Sequence, residues 1–141
     1  MIFYTTKSVL YKNGIQIDKD NWNWDTMIEV SSKFIDRNKG TEIYLFESDL
    51  DAAPYFNQFV QGSEVKFYDI NSKKSNFNSA DFTELLKVYK EKIYPAICPA
   101  ELQKNFDVTR TDLLESGKVI MKNSGAFGYG NVQELCLNNS F

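Results

Sequence analysis

Two apolar runs near the end of the chain, 118–122 and 132–138, flank the segment Asn123-Ser124-Gly125-Ala126-Phe127-Gly128-Tyr129-Gly130-Asn131. Both runs read as strands, so the nine residues between them must connect two neighbouring strands and bind the end of the chain into a sheet. Three glycines and an alanine lie between positions 125 and 130 and leave that backbone nearly bare. Such a segment reaches positive φ and lets another backbone or a ligand approach closely. Phe127 stands among small residues as the group it presents, directed either into a cleft or into the core beneath the loop.

The chain contains no histidine. That removes the commonest general base and most imidazole metal sites. A length of 141 residues with 43% hydrophobic content predicts one domain spanning 1–141, able to bury about two-thirds of its unfolded surface. Aromatic residues make up 15% of the chain, enough that part of this surface is expected to face a partner. A net charge of −3, with lysine and arginine scattered, argues against nucleic acid. The first residues lack the pattern of a secretory signal, and no apolar run approaches a membrane span. Cys98 and Cys136 therefore read as reduced thiols of a cytoplasmic protein.

Residues 2–11 and 14–17, joined by Asn13-Gly14, predict a β-hairpin near the N-terminus. A helix capped by Asn23 or Asp25 follows, with Met27, Ile28, Ser31, Phe34 and Ile35 on one face and a stop at Asn38-Lys39-Gly40. Next come a strand at 42–47, a helix over 50–60 with Pro54 in its first turn, a strand at 64–70 and a polar loop at 71–78. A further helix runs from Ala80 to about Ile93, capped by Ser79 or Asn78 and closed at Tyr94-Pro95. From 42 onward this order favours an α/β layer fold, a mixed sheet with packed helices.

Three segments, in order, resemble the C-terminal portion of the β-ketoacyl synthases, condensing enzymes of the thiolase-like superfamily. Lys74-Ser75-Asn76-Phe77-Asn78-Ser79 resembles that family's K-S-N-x-G-H segment, and Ile93-Tyr94-Pro95-Ala96-Ile97 resembles the stretch ending the helix that follows it. The segment 123–131 resembles its N-S-F-G-F-G-G-x-N loop at Asn123, Ser124, Phe127, Gly128 and Asn131. The likeness covers 42–138 and leaves 1–41, the hairpin and first helix, unassigned. It implies a thiolase-like half-domain, with Lys74, Ser75 and Asn76 beside the place of a catalytic histidine and Phe127 at the acyl entrance.

The departures decide the chemistry expected. The family's two histidines fall near Glu47 or Ser48 and at Ser79, and its nucleophilic cysteine has no counterpart. A carboxylate or hydroxyl has the wrong pKa and donor pattern to stabilise the enolate formed on decarboxylation. Cys98 has no histidine to activate it. No catalytic residue, metal or cofactor is expected; Glu47, Asp49 and Asp51 serve either to charge a helix start or, less simply, to hold a cation. Lys74 is either a support for the site or a solvated loop lysine, and Ser75 and Asn76 either line the site or make turns. Trp22, Trp24, Tyr4 and Tyr11 form either a partner surface or part of a core.

The resemblance implies a non-catalytic, ketosynthase-like accessory protein in fatty-acid, polyketide or polyene biosynthesis. It would act through protein contact or by shaping an acyl pocket, as a homodimer or with a ketosynthase or acyl carrier protein. The alternative is a small acidic binding protein such as a toxin-neutralising immunity protein.

Overall fold

A computed structural model describes residues 2–47, 54–109 and 114–124. Its elements are β1 (Ile2–Tyr4), α1 (Lys7–Lys12), α2 (Trp24–Arg37), β2 (Tyr44–Phe46), α3 (Pro54–Gly62), β3 (Tyr68–Asp69), β4 (Lys74–Ser75), α4 (Ala80–Val88), α5 (Ala100–Thr109) and β5 (Val119–Ser124). Five α-helices, a three-strand mixed sheet and a two-strand hairpin among the described residues make this a small mixed α/β protein. Internal contacts divide it into two units, one drawn from Met1–Gln16, Glu42–Ser48 and Cys98–Phe141, the other from Ile17–Thr41 and Asp49–Ile97.

The first unit is organised by β5, which lies between β1 and β2. It runs antiparallel to β1, with Phe3 opposite Asn123, and parallel to β2, with Phe46 opposite Met121. Val119, Ile120 and Met121 are all buried, as are Leu45 and Phe46 of β2. Consecutive buried positions mean that both faces of these strands are covered, which is why they read as continuous apolar runs rather than alternating ones. Cys98 packs with Val119, Tyr44 and Leu102, and its backbone N–H donates to Phe46 O at 2.8 Å.

The expected N-terminal hairpin is absent: β1 ends at Tyr4, and Lys7–Lys12 is helical. Thr6 caps that helix, its hydroxyl accepting from Val9 N at 3.2 Å, and Gly14 follows at φ 62°. Asn-Gly serves a helix C-terminus as well as a tight hairpin, because both need a residue in the left-handed region. The partner of β1 is β5, far along the chain.

In the second unit α2 has the expected bounds to within a turn. Asn23 and Thr26 form a reciprocal capping box, the Asn23 side-chain Oδ1 accepting from Thr26 N at 3.0 Å and the Thr26 hydroxyl from Asn23 N at 2.8 Å. Met27, Ser31 and Phe34 are its buried face. Gly40, at φ 81°, lies just beyond the end. In α4 Ser79 is the cap, accepting from Phe82 N at 3.2 Å. The helix expected to reach Ile93 changes at Tyr89 into a wider π-turn through Ile93. Pro95 explains the change, since it has no N–H for the carbonyl four residues back and its ring crowds that oxygen.

A further expectation is revised. The strand at 64–70 pairs only over Tyr68–Asp69, with Lys74–Ser75 from the supposed polar loop, and among the described residues this hairpin is separate from the three-strand sheet. Beyond Pro99 the chain forms α5. The strand expected at 132–138 lies outside the described residues.

Candidate binding groove

α2, α3 and α4 of the second unit border a groove of about 700 Å³. Its apolar lining is Trp24, Ile28, Phe59, Val65, Leu85 and Val88. Phe59 is buried and the other five are half-buried, so this surface is neither core nor fully solvated. The capping box fixes the start of α2 and hence Trp24, whose indole meets Phe59 edge-to-face with ring centroids 5.1 Å apart. α3 ends at Gly62, beneath the indole, and Ser63 turns the chain away through its N–H to Phe59 O at 3.0 Å and its hydroxyl to Val60 O at 2.7 Å.

Asp25, Asp81 and Glu84 also line the groove, and all three are exposed. Among the described residues they are its only ionisable lining side chains, so the groove joins an apolar floor to a rim of one charge. None of the three forms an ion pair within the described residues.

The residues singled out by the family resemblance do not gather there. Lys74 and Ser75 form β4, pairing with Asp69 and Tyr68, and both are exposed. Asn76 is also exposed; its N–H donates to Phe67 O at 2.8 Å and its amide to Lys66 O at 3.3 Å, closing the hairpin on its stem. At the hairpin tip the Asp69 carboxylate accepts from the Ser72 hydroxyl at 2.7 Å, Asn71 N at 2.9 Å and Ser72 N at 3.3 Å. Those bonds, led by the hydroxyl, hold its pKa below the usual carboxylate value. Phe67, Phe77 and Phe82 stack beneath the junction, with centroids 5.7 Å apart for Phe67–Phe77 and 5.2 Å for Phe77–Phe82. The hairpin leaves Tyr68, Ile70 and Phe77 at least half exposed.

The start of the glycine-rich segment is strand: Asn123 and Ser124 belong to β5, opposite Phe3 and Ile2. Phe127, Gly128 and Asn131 lie outside the described residues, as do Cys136, Asp49 and Asp51. Among the described residues no group of His, Cys, Asp and Glu side chains has the geometry of a metal site.

Cys98 is buried, and its thiol is pushed up to about 11, first by burial and then by the Glu47 carboxylate. A thiol in that state is not a nucleophile at neutral pH. Tyr44 is likewise raised, mainly by burial and then by Cys98 and Glu42.

The groove was not apparent in the sequence as a site. Trp24 reads there as partner surface or core, and only folding puts it on one rim with Asp81 and Glu84. Comparison of the chain with protein-family models, curated proteins and solved structures found no match.

Proposed function

We propose that this chain is a non-catalytic protein that works by binding another protein. The observation that carries the reading is the contrast between its reactive groups and its apolar surface. Cys98 is sealed in a core, while a half-buried aromatic groove and the exposed side chains of the β3–β4 hairpin stand open to a partner. Apolar surface left accessible in this way is what interaction sites use. The free, buried Cys98 thiol supports a reducing compartment, the cytoplasm. Among the described residues no helix is long and apolar enough to cross a membrane.

The family resemblance supplies the setting: an accessory to fatty-acid, polyketide or polyene synthesis with a thiolase-like half-domain, paired with itself, a ketosynthase or an acyl carrier protein. Lys74–Ser79 spans a strand-to-helix junction, as the resemblance requires, which supports this reading. The carboxylate rim of the groove favours a second one, an acidic binding protein such as a toxin-neutralising immunity protein, since carboxylates attract a basic partner and repel an acidic one.

Incubation with a malonyl-loaded carrier and an acyl donor is expected to give no condensation product; product above background overturns the non-catalytic reading. Copurification from the native host separates the settings. A ketosynthase or carrier protein supports the first, a basic toxin supports the second, and recovery of the chain alone contradicts both.

A further inference from the structure

We infer that the groove bordered by α2, α3 and α4 takes a cationic amphipathic segment of the partner, with one apolar side chain against Trp24 and Phe59 and lysines or arginines facing Asp25, Asp81 and Glu84. This deepens the binding-protein reading and rests on it. A volume of about 700 Å³ exceeds one side chain and falls in the range of clefts that enclose a ligand or a peptide anchor.

Charge complementarity selects the occupant. Among the described residues every ionisable side chain on the lining is a carboxylate, and none is neutralised by a cation. Asp25 and Asp81 lie in the first turns of α2 and α4, where they also complement the helix dipoles. Glu84 lies beyond that first turn, so the dipole does not account for it. It is three residues from Asp81 on the same helix, where two carboxylates are surface neighbours that repel each other. A bound cation relieves that repulsion. Trp24 adds an aromatic face, the ring type that attracts ammonium and guanidinium groups most strongly.

The test uses the full chain and three synthetic peptides: one with a central leucine flanked by lysines, one with that leucine flanked by glutamates, and one with serine at the centre of the lysine peptide. Binding is read from tryptophan fluorescence and from the indole N–H resonance of Trp24. The lysine–leucine peptide is expected to bind, more weakly at high salt; the glutamate peptide is expected not to bind, and the serine peptide to bind at least about tenfold more weakly, since burying a leucine contributes about 1.5 kcal/mol or more. The double variant D81N/E84Q, checked for native circular dichroism, should lose about fivefold in affinity, in line with two exposed ion pairs of about 0.5 kcal/mol each. Equal binding of lysine and glutamate peptides, no binding of any, or full affinity in the double variant overturns the inference. Should the peptides fail while the chain still forms a complex with a partner protein, the groove assignment falls and the binding-protein reading stands. Absence of any complex sinks both.

Discussion

Gly62 is the platform on which Trp24 rests: a Cβ at position 62 would overlap the Nε1 and Cδ1 atoms of the Trp24 indole. Phe59 meets the same ring edge-to-face, so admitting a methyl group at 62 means breaking that contact and moving the indole toward the groove. Substituting alanine for a helical glycine ordinarily gains up to about 1 kcal/mol. Here the overlap opposes that gain, and overpacking costs about 1–3 kcal/mol. Gly62→Ala is therefore expected to destabilise by about 1 kcal/mol and to shift tryptophan emission to the red, as seen by denaturant unfolding and fluorescence. A gain in stability with unchanged emission would contradict this packing.

Ser79 occupies the place of a catalytic histidine in the family resemblance, yet its hydroxyl is engaged as the N-cap of α4. Ser79→Ala should cost about 1 kcal/mol, and Ser79→Asp should retain most of the stability, because aspartate caps equally well. Chemical denaturation of the two variants distinguishes a cap from an uninvolved loop serine, for which both changes would be neutral.

Fold class and helix faces could be read from the sequence because they follow from local pattern. The spacing of Met27, Ser31 and Phe34, the caps Asn23 and Ser79, and the stop at Gly40 each act within a turn or two. The N-terminal hairpin failed because Asn13-Gly14 suits two structures, and the long-range pairing of β1 with β5 decided between them. The hairpin at Tyr68–Ser75 went unseen because its two-residue strands carry no periodicity, and its closure depends on Asp69 and Asn76 side chains gripping backbone groups. The groove went unseen for a different reason: Trp24, Phe59 and Glu84 sit on three helices, and no linear spacing encodes their proximity.

Cys98 links stability to alkaline pH. Its ordinary value of 9.0 is raised to about 11 in the folded protein. Below pH ~9 the thiol is protonated whether the chain is folded or unfolded, and its contribution to stability is intact. Between about pH 9 and 11 only the unfolded chain ionises, so unfolding releases a proton and stability falls as pH rises, by about 2 kcal/mol across the window. Urea unfolding of wild type and Cys98→Ser across that window checks the slope, which the serine variant should lack at this site. Peptide mapping after iodoacetamide treatment at pH ~8 should leave Cys98 unmodified in the native protein; rapid labelling would refute its burial.

Ser31 is fully buried on α2, and its hydroxyl has no hydrogen-bond partner among the described residues. Leaving a polar group in that state costs about 1–3 kcal/mol. Ser31→Ala should accordingly raise stability by about 1 kcal/mol, visible as a higher denaturant midpoint at unchanged slope. A loss of similar size would mean that the hydroxyl is satisfied.

The central claim is that the chain acts by contact with another protein, and light scattering of purified samples tests it most directly. A chain of 16.3 kDa that works this way should give, at high concentration or with its copurified partner, a particle of at least twice that mass or a complex of fixed stoichiometry. Its interface should exceed roughly 1,000 Å² and include aromatic side chains. The groove bordered by α2, α3 and α4 and the exposed side chains of the β3–β4 hairpin are the expected contacts. A monomeric mass at every concentration, with no partner recovered, would contradict the account.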